Sequence, residues 1–136
     1  MARSTGVTLA ASPPPFDRGA EAERSSAWSG GFALENSDGT LTHLGQLWTD
    51  DSVRMNEGGC DPDGRFYCGS KAYDKRSGAG ALYRLDPNRS VHVVLEAVTV
   101  SNGLDWSPDG SRAYYNDTAT HRIAVFDDDC QVPVPA

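Results

Sequence analysis

The stretch SNGLDWSPDGSRAYYNDT, residues 101–118, decides the fold because it contains a complete strand, turn and strand. Two short runs, Leu104 to Trp106 and Arg112 to Asn116, flank the turn sequence Ser107-Pro108-Asp109-Gly110. Proline fixes φ early in such a turn, and glycine accepts the positive φ that closes it. This spacing therefore predicts a tight β-hairpin.

The same pattern recurs along the chain from Trp28 onward. The Pro-Asp-Gly triplet occurs at 62–64 and again at 108–110, a separation of 46 residues. Short apolar runs between turn residues predict nine or so strands and almost no helix. The predicted strands with clear bounds are Gly31 to Leu34, Thr40 to Leu44, Arg65 to Gly69, Ala81 to Leu85, Val91 to Leu95, Leu104 to Trp106, Arg112 to Asn116 and Arg122 to Phe126. Repeats of about 40 to 50 residues with four strands apiece are typical of propeller blades, with a β-sandwich as the alternative.

Composition excludes several classes of function. The 136 residues include 19 acidic and 12 basic side chains, a net charge of −7, and no Lys/Arg cluster in the sequence predicts a nucleic-acid surface. No apolar run reaches the roughly 20 residues of a membrane span. The three cysteines are an odd number, which favours reduced thiols, and the start of the chain is a poor secretory signal. These features predict a cytoplasmic protein with neither a nucleic-acid nor a membrane partner.

Three ranges organise the chain. Residues 1–24 contain three consecutive prolines and no sustained period, so we predict a segment that is disordered or lies outside the domain. Residues 25–129 form the predicted all-β domain, and residues 130–136 form an irregular tail.

Three segments, read in order, carry a resemblance to a known family. They are Arg54-Met55-Asn56-Glu57-Gly58-Gly59 with the following Asp61-Pro62-Asp63-Gly64-Arg65, then Gly80-Ala81-Leu82-Tyr83-Arg84-Leu85, then Ser101 to Gly110 continuing to Tyr114-Tyr115-Asn116-Asp117-Thr118. This series resembles the signature stretches of the SMP-30/gluconolactonase/luciferin-regenerating family over residues 28 to 129. The resemblance implies part of a six-bladed β-propeller, about two to three blades of four-stranded antiparallel sheet.

The resemblance also implies a metal-dependent hydrolase of sugar lactones. Asn102 matches a metal ligand, and a carboxamide oxygen suits a hard divalent cation: Ca²⁺ first, with Zn²⁺, Mg²⁺ or Mn²⁺ as alternatives. The competing interpretation is that Asn102-Gly103 is a turn pair. Arg54 and Asn56 match substrate-binding positions, and strand alternation places them on one side. Asp74 falls near an acidic residue of a lid-like loop, and Glu57 stands where the family usually has Asp.

Other parts of the family's site have no match in the 136 residues. The resemblance implies a second metal ligand, a glutamate in an E-G-P-x-W motif, and a third, an aspartate of a later blade that can also act as general base; neither motif occurs here. The catalytic residue is therefore left unassigned, and we expect the site to be incomplete.

Other roles and classes remain open. We predict a structural role for Asp117 and a solvated charge run at Asp127-Asp128-Asp129. The alternative functions are a non-catalytic propeller fragment or binding module, with self-association through open sheet edges, and a strictosidine-synthase-like or NHL-type propeller.

Overall fold

The computed structural model describes residues 7–9, 24–28, 30–127 and 133–134, and nearly all of its regular structure is strand. Twelve strands occur in this part of the chain: β1 (Val7–Leu9), β2 (Arg24–Trp28), β3 (Gly31–Glu35), β4 (Leu41–His43), β5 (Val53–Cys60), β6 (Phe66–Ala72), β7 (Gly80–Leu85), β8 (Val91–Val98), β9 (Ser101–Trp106), β10 (Arg112–Asp117), β11 (Arg122–Asp127) and β12 (Pro133–Val134). Helix in the described ranges is limited to the 3₁₀ turn Thr118–Thr120, so none of it is long or apolar enough to cross a membrane.

The strands form three antiparallel sheets of four, each built from consecutive strands: β1 to β4, β5 to β8, and β9 to β12. The first strands of neighbouring sheets contact each other, β1 against β5 and β5 against β9. We call β1, β5 and β9 the inner strands. Sheets that succeed one another around their inner strands are blades, so the predicted partial propeller of four-stranded antiparallel blades is confirmed.

The tight turns lie together at one end of the blades. Asp61-Pro62-Asp63-Gly64 joins β5 to β6, and Ser107-Pro108-Asp109-Gly110 joins β9 to β10. These two turns are neighbours, because a Cβ built on Gly110 would lie 3.4 Å from the Pro62 Cγ. We call this the turn end. Antiparallel pairing then places the starts of β5 and β9 and the 73–79 loop at the opposite end, the site end.

Two apolar clusters hold the sheets together. The first cluster lies between the first and second sheets and contains Phe32, Leu34, Met55, Phe66, Cys68 and Leu85. The second cluster lies between the second and third sheets and contains Tyr67, Leu82, Val98, Ala113, Tyr115 and Phe126. Phe66 and Tyr67 are successive residues of β6, and strand alternation sends them into different clusters. The second sheet therefore shares its two faces between both interfaces.

The structure also shows what the sequence left undefined. Strand β5 had no predicted bounds, because Gly58 and Gly59 interrupt its pattern of alternation. Gly58 is required there by close backbone approach: a Cβ would lie 2.2 Å from the Tyr67 carbonyl oxygen. Strand β1 falls within predicted segment 1–24, and β12 within the predicted tail. Arg24, the last residue of the first segment, begins β2, and the other residues of both segments lie outside the described ranges. The domain bounds stay a prediction.

Candidate functional site

Two inner strands carry a β-bulge near their starts at the site end. On β5, Met55 pairs with Ser70 but Glu57 pairs with Gly69, so Asn56 is the extra residue. On β9, the register slips between Ser101 and Leu104, which leaves Asn102 and Gly103 facing one partner residue of β10. Gly103 has φ +102°, a backbone region that favours glycine. Bulges re-aim side chains, and here they occur at two of the predicted site residues.

Hydrogen bonds join Arg54 and Asn56 to the start of β9. The Asn56 Nδ2 donates to the Ser101 carbonyl oxygen at 2.6 Å. The Arg54 Nη1 donates to the Asn56 Oδ1 at 3.3 Å and to the Met55 carbonyl at 3.0 Å. The structure therefore places Arg54 and Asn56 side by side, next to the residue that precedes Asn102.

Asn102 is exposed, and its amide nitrogen donates to the Thr118 Oγ1 at 3.3 Å. No described residue donates a hydrogen bond to its amide oxygen, which leaves that atom available to a cation. Calcium takes about six to eight oxygen ligands, several of them charged. Among the described residues no three or more His, Cys, Asp or Glu side chains gather into a metal-binding group. These residues alone do not fit a bound calcium ion, and Asn102 would be one ligand of several.

Asp117 has the structural role predicted for it. Its two carboxylate oxygens accept hydrogen bonds from the backbone N–H groups of Thr99, at 2.9 Å, and Val100, at 2.8 Å. The same side chain caps the 3₁₀ turn through the Ala119 N–H at 3.3 Å. Asp117 thereby fixes the segment that leads into β9 and Asn102.

The 73–79 loop places Tyr73, rather than Asp74, against the predicted substrate-binding residues. The Asp74 carboxylate accepts hydrogen bonds from Arg76, at 3.1 Å from the backbone N–H and 3.3 Å from Nη1. Within the described part of the chain, no hydrogen bond or ion pair joins Asp74 to Arg54, Asn56 or Asn102. The Arg54 guanidinium carbon instead lies 5.5 Å from the centre of the Tyr73 ring, a cation–π geometry.

Lys71 is a site-end residue that sequence reasoning missed. The turn at 61–64 sets a register that would pair Arg54 with Ala72, and the bulge at Asn56 shifts this pairing by one residue. Arg54 therefore faces Lys71. Partial burial, followed by the nearby charges of Arg54 and Lys75, lowers the pKa of the Lys71 ammonium. No residue pattern in Val53–Cys60 signals the bulge, so the pairing was not readable in advance.

A cavity of about 380 Å³ lies elsewhere, between β8 and the β10–β11 hairpin. Its walls include Val98, Tyr115 and Phe126 from the second cluster, and burial raises the pKa of the Tyr115 hydroxyl to about 12. None of Arg54, Asn56, Asp74 or Asn102 lines it. The cavity is a gap between blades and is separate from the predicted site.

Solved structures share this architecture. A luciferin-regenerating enzyme superposes with a TM-score of 0.73 at 22% identity, covering 87% of this chain and 43% of that one. A calcium-binding protein, regucalcin, from Agrobacterium tumefaciens gives a TM-score of 0.73 at 25% identity, covering 86% and 41%.

Sequence comparisons agree with the structural ones. Regucalcin of Danio rerio is 36% identical over 94 residues, which is 68% of this chain and 32% of the relative. A Bacillus subtilis (strain 168) protein, named as a candidate sugar lactone lactonase, YvrE, is 36% identical over 81 residues, covering 60% and 28%. The chain thus spans about a third of the length of these relatives. The model of the SMP-30/Gluconolactonase/LRE-like region matches residues 20–134. The chain therefore belongs to the SMP-30/gluconolactonase/LRE-like family.

Proposed function

We propose that this chain contributes the substrate-binding wall of a metal-dependent hydrolase of sugar lactones. One observation carries the proposal: Arg54 and Asn56 on β5 meet the start of β9, where Asn102 stands, through the bond from Asn56 to the Ser101 carbonyl. The family membership and the named Bacillus subtilis relative support lactones as the substrate class. Regucalcin relatives and the calcium-binding neighbour support a divalent cation, with Ca²⁺ the first expectation.

The hydrogen bonds suggest different tasks for the two β5 side chains. The Asn56 amide nitrogen donates to the Ser101 carbonyl, and its amide oxygen accepts from Arg54. Asn56 is therefore held by β9 and orients the Arg54 guanidinium. Arg54 has five N–H donors, and Met55 and Asn56 accept from Nη1. The remaining donors can hold lactone oxygens. Such positioning lets a water add to the carbonyl carbon as the acyl C–O bond of the ring breaks, which gives a carboxylate, an alcohol on the former ring oxygen and a proton released to solvent.

Calcium titration by calorimetry tests the assignment of Asn102. Replacing the neutral amide with a carboxylate in Asn102→Asp adds a charged oxygen ligand, and we expect binding to tighten about tenfold. Asn102→Ala removes the ligand and should weaken binding. Asn88→Asp, in the β7–β8 turn at the turn end, makes the same charge change as a control and should leave the affinity unchanged. Equal effects of the two Asp substitutions would show that only net charge matters.

A lactonase assay tests the role of Arg54. We expect Arg54→Gln to raise KM for an aldonolactone about tenfold, since a charge-assisted hydrogen bond is lost. Arg54→Lys should recover part of the loss, because it keeps the charge but not the forked donor geometry. Turnover that needs no metal and ignores both substitutions would contradict the proposal.

A non-catalytic binding module is the second candidate. The observation in its favour is that the described residues supply Asn102 as a neutral oxygen donor and no acidic metal-binding group. Lactone binding without hydrolysis, at saturating Ca²⁺, would support this function. A cytoplasmic location and self-association through open sheet edges remain predictions that go with either candidate.

A further inference from the structure

Two cations face each other at the site end. Arg54 of β5 and Lys71 of β6 are direct cross-strand partners, so their side chains leave the same face of the second sheet. Both residues are partly buried. The face they share is the one that turns toward β9, because Asn56 bonds to Ser101 from the same side.

Among the described residues, no acidic side chain forms an ion pair with either cation. Like charges directly opposite each other in a sheet are destabilising. Within the described ranges, neither Arg54 nor Lys71 lies within 4.0 Å of a carboxylate oxygen, although acidic residues outnumber basic ones in the chain. Lys75 adds a third positive charge nearby, and burial, followed by the charges of Arg54 and Lys75, lowers the pKa of Lys71.

We propose that Arg54 and Lys71 form a carboxylate-binding subsite, and that the lactones accepted here carry a free carboxylate group, as lactones of sugar diacids do. This inference rests on the proposed lactone hydrolysis and narrows its substrate class. A forked guanidinium and an ammonium opposite it can each take one oxygen of a carboxylate. The Tyr73 ring, whose centre lies 5.5 Å from the guanidinium carbon, helps to orient Arg54 through a cation–π contact.

A second source of the same chemistry is the reaction product, because opening any lactone releases a carboxylate. The two sources are separated by three probes: glucaro-1,4-lactone, which has a free carboxylate; galactono-1,4-lactone, which has none; and galactonate, the opened form of the neutral lactone. Each is titrated by calorimetry into the full chain at low ionic strength, where charge contacts are least screened. Binding is read without turnover, so the result does not depend on catalysis.

Substitutions at Lys71 give the decisive comparison. We expect Lys71→Gln to weaken glucaro-1,4-lactone binding about tenfold and to leave galactono-1,4-lactone binding unchanged, because one charge-assisted hydrogen bond is lost. Lys71→Arg should keep most of the affinity. Arg112→Gln removes one positive charge at the turn end and serves as the matched control, with no effect expected. Circular dichroism melting confirms that each variant is folded.

Three outcomes would overturn the proposal. The first is equal affinity of the unmodified chain for the two lactones. The second is an equal loss of affinity for both lactones in Lys71→Gln. The third is a loss of galactonate affinity in Lys71→Gln as large as the loss of glucaro-1,4-lactone affinity. The last result would assign the subsite to the product. Failure of the proposed hydrolysis would give a distinct result. Glucaro-1,4-lactone would still bind in a way that depends on Lys71, but neither lactone would be hydrolysed.

Discussion

Single carboxylates set the strand connections at the turn end. The buried Asp61 accepts hydrogen bonds from the backbone N–H groups of Asp63, at 3.0 Å, and Arg65, at 2.9 Å, and it pairs with the Arg65 guanidinium. Asp109 plays a related part in the β9–β10 turn: it accepts from the Ser107 hydroxyl at 2.6 Å and from both the N–H and the hydroxyl of Ser111. Each carboxylate thus replaces backbone partners that the turn cannot supply.

Asp109 should remain ionised at a pH low enough to protonate an ordinary carboxyl. The Ser107 and Ser111 donors hold the pKa of its carboxyl at about 2, below the value of about 3.9 for an unfolded chain. Because the folded pKa is depressed, the stabilising contribution is complete above about pH 4 and is lost as pH falls toward 2. A carboxyl-detected NMR pH titration checks this, and Ser107→Ala should move the midpoint upward. A midpoint near 3.9 in the unmodified chain would contradict the hydrogen bonds described.

Gly69 lies at a close contact between the second and third sheets. A Cβ at this position would lie 1.7 Å from the Ser101 Oγ and 2.2 Å from the Ser101 Cβ. Overpacking of this kind costs about 1–3 kcal/mol, and we expect Gly69→Ala to lower the free energy of unfolding by that amount in urea denaturation. The double variant Gly69→Ala with Ser101→Gly removes the clash and should recover part of the loss. Additive losses would show that the two residues are not in contact.

Cys68 should be unreactive in the folded chain. It is 1% exposed, and burial raises the pKa of its thiol to about 12. Cys60 is partly buried, and burial together with Asp61 raises its pKa as well. Iodoacetamide at pH 8, followed by peptide mass spectrometry, should modify Cys60 slowly and Cys68 only after denaturant unfolds the chain. Equal labelling of the two without denaturant would mean that the first cluster is open.

At the scale of elements, the two bulges determine what the site can be. A regular β5 would present Ala72 opposite Arg54, and a regular β9 would carry Asn102 on a face fixed by plain alternation. The extra residue in each strand shifts that pairing. The Asn56–Ser101 bond then ties one bulge to the other across two blades.

Gly103 is the residue on which the β9 bulge depends. Its φ of +102° is strained for any residue with a side chain, although a Cβ there would meet only the Asn116 Cβ at 3.6 Å, an ordinary contact. We expect Gly103→Ala to cost about 1–3 kcal/mol through backbone strain alone. Gly59→Ala is a suitable control, because its Cβ would have a similar nearest contact, 3.5 Å to Trp106. Urea denaturation that showed equal losses for both would remove the special role of the β9 bulge.

The elements also show how far sequence reasoning extends. Hairpins with Pro-Asp-Gly turns were predictable, because proline fixes its own φ and glycine accepts the positive φ that closes the turn. The proximity of Arg54 and Asn56 followed from alternation. The pairing of Arg54 with Lys71 did not follow, since it depends on a one-residue bulge at Asn56 that no residue pattern in β5 signals. The contact of Tyr73 with Arg54 was not predictable from the sequence either, because it requires the fold of the 73–79 loop.

At the scale of the whole molecule, the second sheet should make unfolding cooperative. Trp48 packs on the first cluster and stacks on Tyr83, with 5.7 Å between the ring centres. Trp106 packs on the second cluster, and its ring centre lies 5.4 Å from that of Tyr67. Because β6 contributes to both clusters, we expect the fluorescence of Trp48 and of Trp106 to change at one urea concentration.

Single-tryptophan variants in a Trp28→Phe background, carrying either Trp48→Phe or Trp106→Phe, separate the two signals. Phe66→Ala and Tyr67→Ala should each lower both midpoints together, at a cost of about 3–5 kcal/mol. Two separate transitions would show instead that the interfaces between the blades melt independently.

The division of the blades into a turn end and a site end has a consequence for how such a protein diversifies. Asp61, Asp109 and the prolines beside them fix the hairpin turns at the end remote from Arg54, Lys71 and Asn102. A new 73–79 loop, or a new residue at position 71, therefore changes what is recognised without disturbing these turns. Substitutions at the site end can therefore change ligand choice during evolution while the turns that join the strands are kept.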